Sequence, residues 1–118
     1  MAVTLHVCIT CRAGRPVVEG EPCAGERLHA ALQGAPIEGV TIAPVSCLST
    51  CSKGCAVALA APGRWTYVYG GITPESDAPD VAEGARLYAG APDGIVPWRE
   101  RPELFRRNIV ARIPPQEA

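Results

Sequence analysis

Six cysteines hold most of the chemical potential of this chain, and all fall within its first 55 residues. Cys8 and Cys11 form a C-x-x-C, Cys23 stands alone, and Cys47, Cys51 and Cys55 recur every four residues. Thiolates suit soft and borderline metals: four of them satisfy tetrahedral zinc, or the two irons of a 2Fe-2S cluster. If residues 47–51 form a helical turn, Cys47 and Cys51 project from one face about 5 to 6 Å apart at Cβ, close enough to share one centre. Cys8, Cys11 and Cys23 can be aimed at the same centre from loops. The spacing does not separate cluster from single ion, nor does it select four of the six thiols. A thiol-disulfide oxidoreductase built on Cys8 and Cys11 would need that pair at a helix N-terminus, and Arg12, Gly14 and Pro16 argue against a helix there. Buried structural cysteine is the plain reading of any one of them, since free cysteine is among the most buried residue types.

Other chemistry is sparse. His6 falls mid-strand and His29 mid-helix, so both read as structural or surface residues rather than ligands. There is no Gly-rich phosphate loop, paired-carboxylate site or serine-histidine arrangement, and no enzyme active site is expected. The formal net charge of -1 gives no general attraction to nucleic acid. Five of the eleven basic residues lie between positions 99 and 112, and this cluster reads as a solvated face. Apolar residues make up 47% and charged ones 19%, a globular balance that excludes a mainly disordered chain. The sequence has no run of eighteen apolar residues, and its first seven residues lack the pattern of a signal peptide. A cytoplasmic protein without a membrane partner is expected, and in that compartment thiols stay reduced, which favours metal ligation over a disulfide framework.

The elements that must position the thiols follow from the apolar pattern. Residues 3–7, Val-Thr-Leu-His-Val, read as a buried strand ending on Cys8. Gly14, Pro16, Gly20 and Pro22 keep the stretch between Cys11 and Cys23 in loop. Residues 26–32, with Leu28 and Leu32 four apart and Gly34 beyond, read as a short helix. Residues 41–45, with Val40 before them, read as a second strand. Residues 56–61 and 65–69 flank Pro62-Gly63 as a hairpin, and Trp65, Tyr67 and Tyr69 alternate so as to line one face as core. Residues 80–88 carry Val81, Ala85 and Tyr88 at helical spacing, with Asp77 and Asp80 near the start. The order is β, α, β, β, β, α: one cysteine-rich domain over residues 1–90. Prolines at 92, 97, 102, 114 and 115 then predict an irregular tail over 91–118, packed on the domain, with one helical turn near residues 102–107.

The string Ser46-Cys-Leu-Ser-Thr-Cys51, then Ser-Lys-Gly54, Pro62-Gly-Arg-Trp65 and Tyr69-Gly-Gly-Ile-Thr-Pro-Glu75 resembles the second half of the thioredoxin-like 2Fe-2S ferredoxins. The strand ending in Cys8, Arg12 after it and Cys23 beyond a Pro/Gly loop resemble that family's first half. Over nearly its whole length, including Gly94-Ile-Val-Pro-Trp-Arg-Glu-Arg-Pro102 and Ala111-Arg-Ile-Pro-Pro115, the chain also resembles a bacterial family of predicted metal-binding proteins with a domain of unknown function. That family is similar to the ferredoxins and tends to be associated with cobalt and cobalamin metabolism. The resemblance implies an α/β fold of thioredoxin-like type, a small mixed sheet flanked by two helices. It implies a 2Fe-2S cluster on Cys8, Cys23, Cys47 and Cys51; Cys11 and Cys55 depart from the ferredoxin pattern and stand as reserve ligands, and with a cluster bound the backbone N–H groups around Leu48 to Ser52 and Lys53 are the natural donors to sulfur. The expected partners are a redox protein receiving one electron, a metal-handling protein if the site instead holds zinc or cobalt, and a second copy in a homodimer.

Overall fold

The structure is a computed structural model and describes residues 3–9, 23–34, 37, 39–46 and 55–115. β1 (Val3–Cys8) alternates as a half-covered strand must, with Val3, Leu5 and Val7 buried on one face. α1 (Ala24–Gln33) buries Leu28 and Leu32, one turn apart, and ends where the Gly34 N–H reaches back to the Ala30 carbonyl at 3.1 Å. β2 (Val40–Val45) runs parallel to β1, so β1, α1 and β2 form one crossover unit. β3 (Cys55–Ala60) and β4 (Thr66–Ile72) make the hairpin around Pro62 and Gly63, where Gly63 takes φ 73°. β3 pairs antiparallel with β1, with His6 opposite Ala58 and Val7 opposite Val57.

α2 (Pro74–Gly90) is longer than the apolar spacing predicts, beginning at Pro74 and running through Pro79. Proline is well suited to the first helical position, and the Asp77 carboxylate accepts the Thr73 N–H at 2.7 Å, so the start is defined six residues before Asp80. α1 and α2 lie against one another, and both helices cover the same face of the sheet. By register this is the face of Leu5, Val7, Val57, Leu59, Tyr67 and Tyr69. Tyr67 meets the α2 ring of Tyr88 edge-on, 6.4 Å between centroids.

The C-terminal stretch is more regular than its prolines predict. After a 3₁₀ turn (Trp98–Glu100), α3 (Glu103–Arg107) forms where a helical turn is expected. β5 (Ile109–Ile113) then pairs antiparallel with β4 and completes a sheet of order β2-β1-β3-β4-β5, in place of an irregular end. Residues 103–113 contain no proline, and Ile109, Val110 and Ile113 are β-branched, which is what a strand needs. Phe105 anchors this segment: its ring stacks on Tyr69 at 3.9 Å, and a Cβ on Gly84 would overlap it at 2.0 Å.

Candidate thiolate centre at the end of β1

The parallel pairing of β1 and β2 fixes where Cys8 stands. Cys8 stands opposite Val45, and the Ile9 N–H continues the ladder to the Val45 carbonyl at 3.0 Å. Cys8 is 1% exposed, and its thiol donates to the Ser46 carbonyl at 3.8 Å. Ser46 directly precedes Cys47 in the chain. Cys23 caps the N-terminus of α1, where Glu26 Oε1 accepts the Cys23 N–H at 3.2 Å and the Glu26 backbone N–H faces the Cys23 sulfur. The Cys23 thiol donates to the Ile9 carbonyl at 2.8 Å. Two cysteines fifteen positions apart in sequence thus bind carbonyls at the same sheet corner.

Gly25 makes this approach feasible. A Cβ at Gly25 would lie 2.0 Å from the Cys8 carbonyl oxygen and 3.1 Å from the Ile9 Cα. The first turn of α1 therefore presses backbone to backbone against the end of β1, and only glycine leaves room. The sequence carries a trace of this role, a glycine inside the first turn of a helix, where glycine is otherwise unfavourable.

Cys55 opens β3 at the same end of the sheet and is fully buried. Strand alternation puts its side chain on the face of Val57, which is the face covered by the helices, and it belongs to the hydrophobic core there. Cys8, two strand positions beyond His6, is on the opposite face by the same alternation. Cys11, Cys47 and Cys51, and the N–H groups of Leu48, Ser52 and Lys53, lie outside the described residues. The chain nevertheless leaves for Cys11 from Ile9, leaves for Cys47 and Cys51 from Ser46, and returns at Cys23 and Cys55. All four anchor points stand at one end of the sheet, where β1 and β2 finish and β3 begins. Among the described residues no three His, Cys, Asp or Glu side chains form a metal-holding group, consistent with a set of which only Cys8 and Cys23 are described. His29 contacts the Gln33 side chain at 3.3 Å, and His6 is a half-buried strand residue. The donor chemistry present, two thiols on separate elements beside a helix N-terminus, fits a thiophilic metal or cluster.

A second group of polar side chains sits under α3. Tyr67, Tyr69, Tyr88 and Phe105 pack ring to ring, with the Arg101 guanidinium 5.4 Å from the Tyr67 centroid. Burial holds the Tyr69 phenol well above its ordinary range, with Arg101 opposing, and burial also raises Tyr88, whose hydroxyl donates to the Trp65 carbonyl at 2.6 Å. Tyr67 and Tyr69 are thus core residues, as the alternation predicts, and Trp65 packs partly buried beside them under the Arg112 guanidinium. Arg101 and Arg64 hold carbonyls of Val96, Tyr88 and Ala89, so part of the basic cluster serves to fasten the C-terminal segment.

No helix among the described residues is long and apolar enough to cross a membrane. No curated protein matches the sequence. Among solved structures, a thioredoxin-like [2Fe-2S] ferredoxin from Aquifex aeolicus superposes with a TM-score of 0.57 at 20% identity, covering 99% of this chain and 98% of that one. The fold is therefore that of a thioredoxin-like ferredoxin. The model of a family described as protein of unknown function (DUF1636) matches residues 5–115, from within β1 to beyond the end of β5, and the chain belongs to that family.

Proposed function

We propose that this protein binds a 2Fe-2S cluster through Cys8, Cys23, Cys47 and Cys51 and passes single electrons to a partner protein, in the setting of cobalamin metabolism. The observation that carries the reading is the corner where Gly25 lets α1 abut β1, so that the Cys8 and Cys23 thiols engage the Ser46 and Ile9 carbonyls. Likeness to the Aquifex ferredoxin over the whole chain supports it. When bound, such a cluster supplies a one-electron couple. The residues around it do the rest: burial of Cys8 keeps water from its sulfur, and the α1 N-terminus offsets negative charge at Cys23. A carrier of this kind needs no catalytic side chain, in keeping with the absence of an active-site motif in the sequence.

Purification without oxygen, with iron, acid-labile sulfide, zinc and cobalt measured on one sample, tests the assignment. The reading expects about two irons and two sulfides per chain, with visible charge-transfer bands, retained in Cys11→Ser and Cys55→Ser and lost in Cys8→Ser and Cys23→Ser. A colourless protein loaded with zinc or cobalt and free of sulfide would replace it with thiolate ion binding or delivery to a metal-handling partner.

A further inference from the structure

The three tyrosines of the chain, Tyr67, Tyr69 and Tyr88, all line one cavity, which the C-terminal segment closes with Val96, Arg101 and Phe105. Its volume is about 10 Å³, room for one group the size of a water molecule. Two features of its lining call for an occupant. The Tyr67 hydroxyl is buried and has no hydrogen-bond partner among the described residues, whereas that of Tyr88 donates to the Trp65 carbonyl. A buried hydroxyl is costly to leave unpaired. Arg101 is the one charged residue that lines the cavity, and no acidic residue lines it. The Arg101 Nε donates to the Val96 carbonyl at 2.7 Å, and its guanidinium lies 5.4 Å from the Tyr67 ring centroid. The charge is felt at Tyr69, where it opposes the effect of burial on the phenol.

We propose that this cavity binds one small monovalent anion, which accepts a hydrogen bond from the Tyr67 hydroxyl and is balanced by the charge of Arg101. The sign follows from the lining. A cation would meet a guanidinium and no carboxylate, and the electron-rich face of the Tyr67 ring is already taken by Arg101. Tyr67 and Tyr88 meet edge to face, and ring edges carry the positive side of the aromatic quadrupole, which suits an anion. The size follows from the volume: chloride, or one end of nitrate, fits where a bulky organic anion does not. One guanidinium balances one negative charge. Arg101 is half-buried, so the site exchanges with solvent. A bound anion ties β4, which carries Tyr67, to the segment that carries Arg101, and fastens the C-terminal segment from within. No cysteine lines the cavity, so the proposal stands independently of what the thiols bind.

Titration of the full chain with sodium chloride tests the proposal, with sodium gluconate, whose anion is too bulky for the cavity, holding ionic strength constant. The tyrosine ultraviolet difference spectrum reports on the site, because every tyrosine of the chain lines it. The spectral change should saturate with chloride and be reproduced by nitrate, and the denaturant midpoint should rise in parallel. These readings on the unaltered chain hold whether or not a variant folds. Tyr67→Phe keeps the ring and removes only the hydroxyl. Its apparent chloride affinity should fall about tenfold or more, while its stability in gluconate should match or exceed that of the unaltered chain, since no unpaired hydroxyl remains. A spectrum and midpoint indifferent to chloride would overturn the proposal and leave water as the partner of the hydroxyl. An unchanged affinity in Tyr67→Phe would also overturn it, as would a loss of stability of that variant in gluconate, which would show the hydroxyl to be paired without an anion.

Discussion

The Cys8 and Cys23 thiols meet carbonyls at one sheet corner because of a residue that carries no functional group. Gly25→Ala would place a methyl 2.0 Å from a backbone oxygen, and neither partner is the flexible end of a side chain. We expect a loss of about 1–3 kcal/mol in stability, together with weaker retention of iron and sulfide, measured by denaturant unfolding and metal analysis. Gly34→Ala is the matched control, since its added Cβ meets nothing closer than 3.5 Å. Equal behaviour of the two variants would remove Gly25 from the account. Cys8 and Cys23 were legible as candidate ligands from residue type and loop context. The demand on Gly25 was not, because it arises between α1 and β1: a glycine in a first helical turn is a trace without a cause until the carbonyl pressed against it is known.

Among the elements, those with a regular apolar rhythm could be read directly. Val3, Leu5 and Val7 mark β1, Leu28 and Leu32 mark α1, and Pro62-Gly63 marks the β3–β4 turn. Two elements exceed what their apolar pattern shows. Val81, Ala85 and Tyr88 mark only the second half of α2, whose start is fixed upstream by Thr73, Pro74 and Asp77 and which runs through Pro79. The prolines after position 90 suggest an irregular tail, yet they bracket a proline-free stretch that forms α3 and β5. The segment is integral to the core through Phe105, which is 2% exposed and stacked on Tyr69. Phe105→Ala should therefore cost about 3–5 kcal/mol in equilibrium unfolding. A cost well under 1 kcal/mol would show the C-terminal segment to be peripheral.

The described residues form one five-stranded sheet with α1 and α2 on a single face and Cys8 and Cys23 at one end. The tyrosine cluster sets a limit on stability at high pH. Tyr69 and Tyr88 are held protonated by burial in the folded chain, whereas in the unfolded chain tyrosine ionises near pH ~10. Their contribution is complete below that pH and declines above it, as the unfolded state loses protons that the folded state keeps. Unfolding free energy measured across alkaline pH should fall from about pH 10 upward, and the fall should be shallower in Tyr69→Phe. An unchanged slope in that variant would contradict the assignment. The central claim concerns the other end of the sheet, and electron paramagnetic resonance of the anaerobically purified, dithionite-reduced protein tests it most directly. The account predicts a spin-half signal from a one-electron-reduced 2Fe-2S centre, of intensity close to one spin per cluster, absent before reduction and lost in Cys23→Ser. A protein that stays silent on reduction while retaining zinc or cobalt at its thiolates would contradict it.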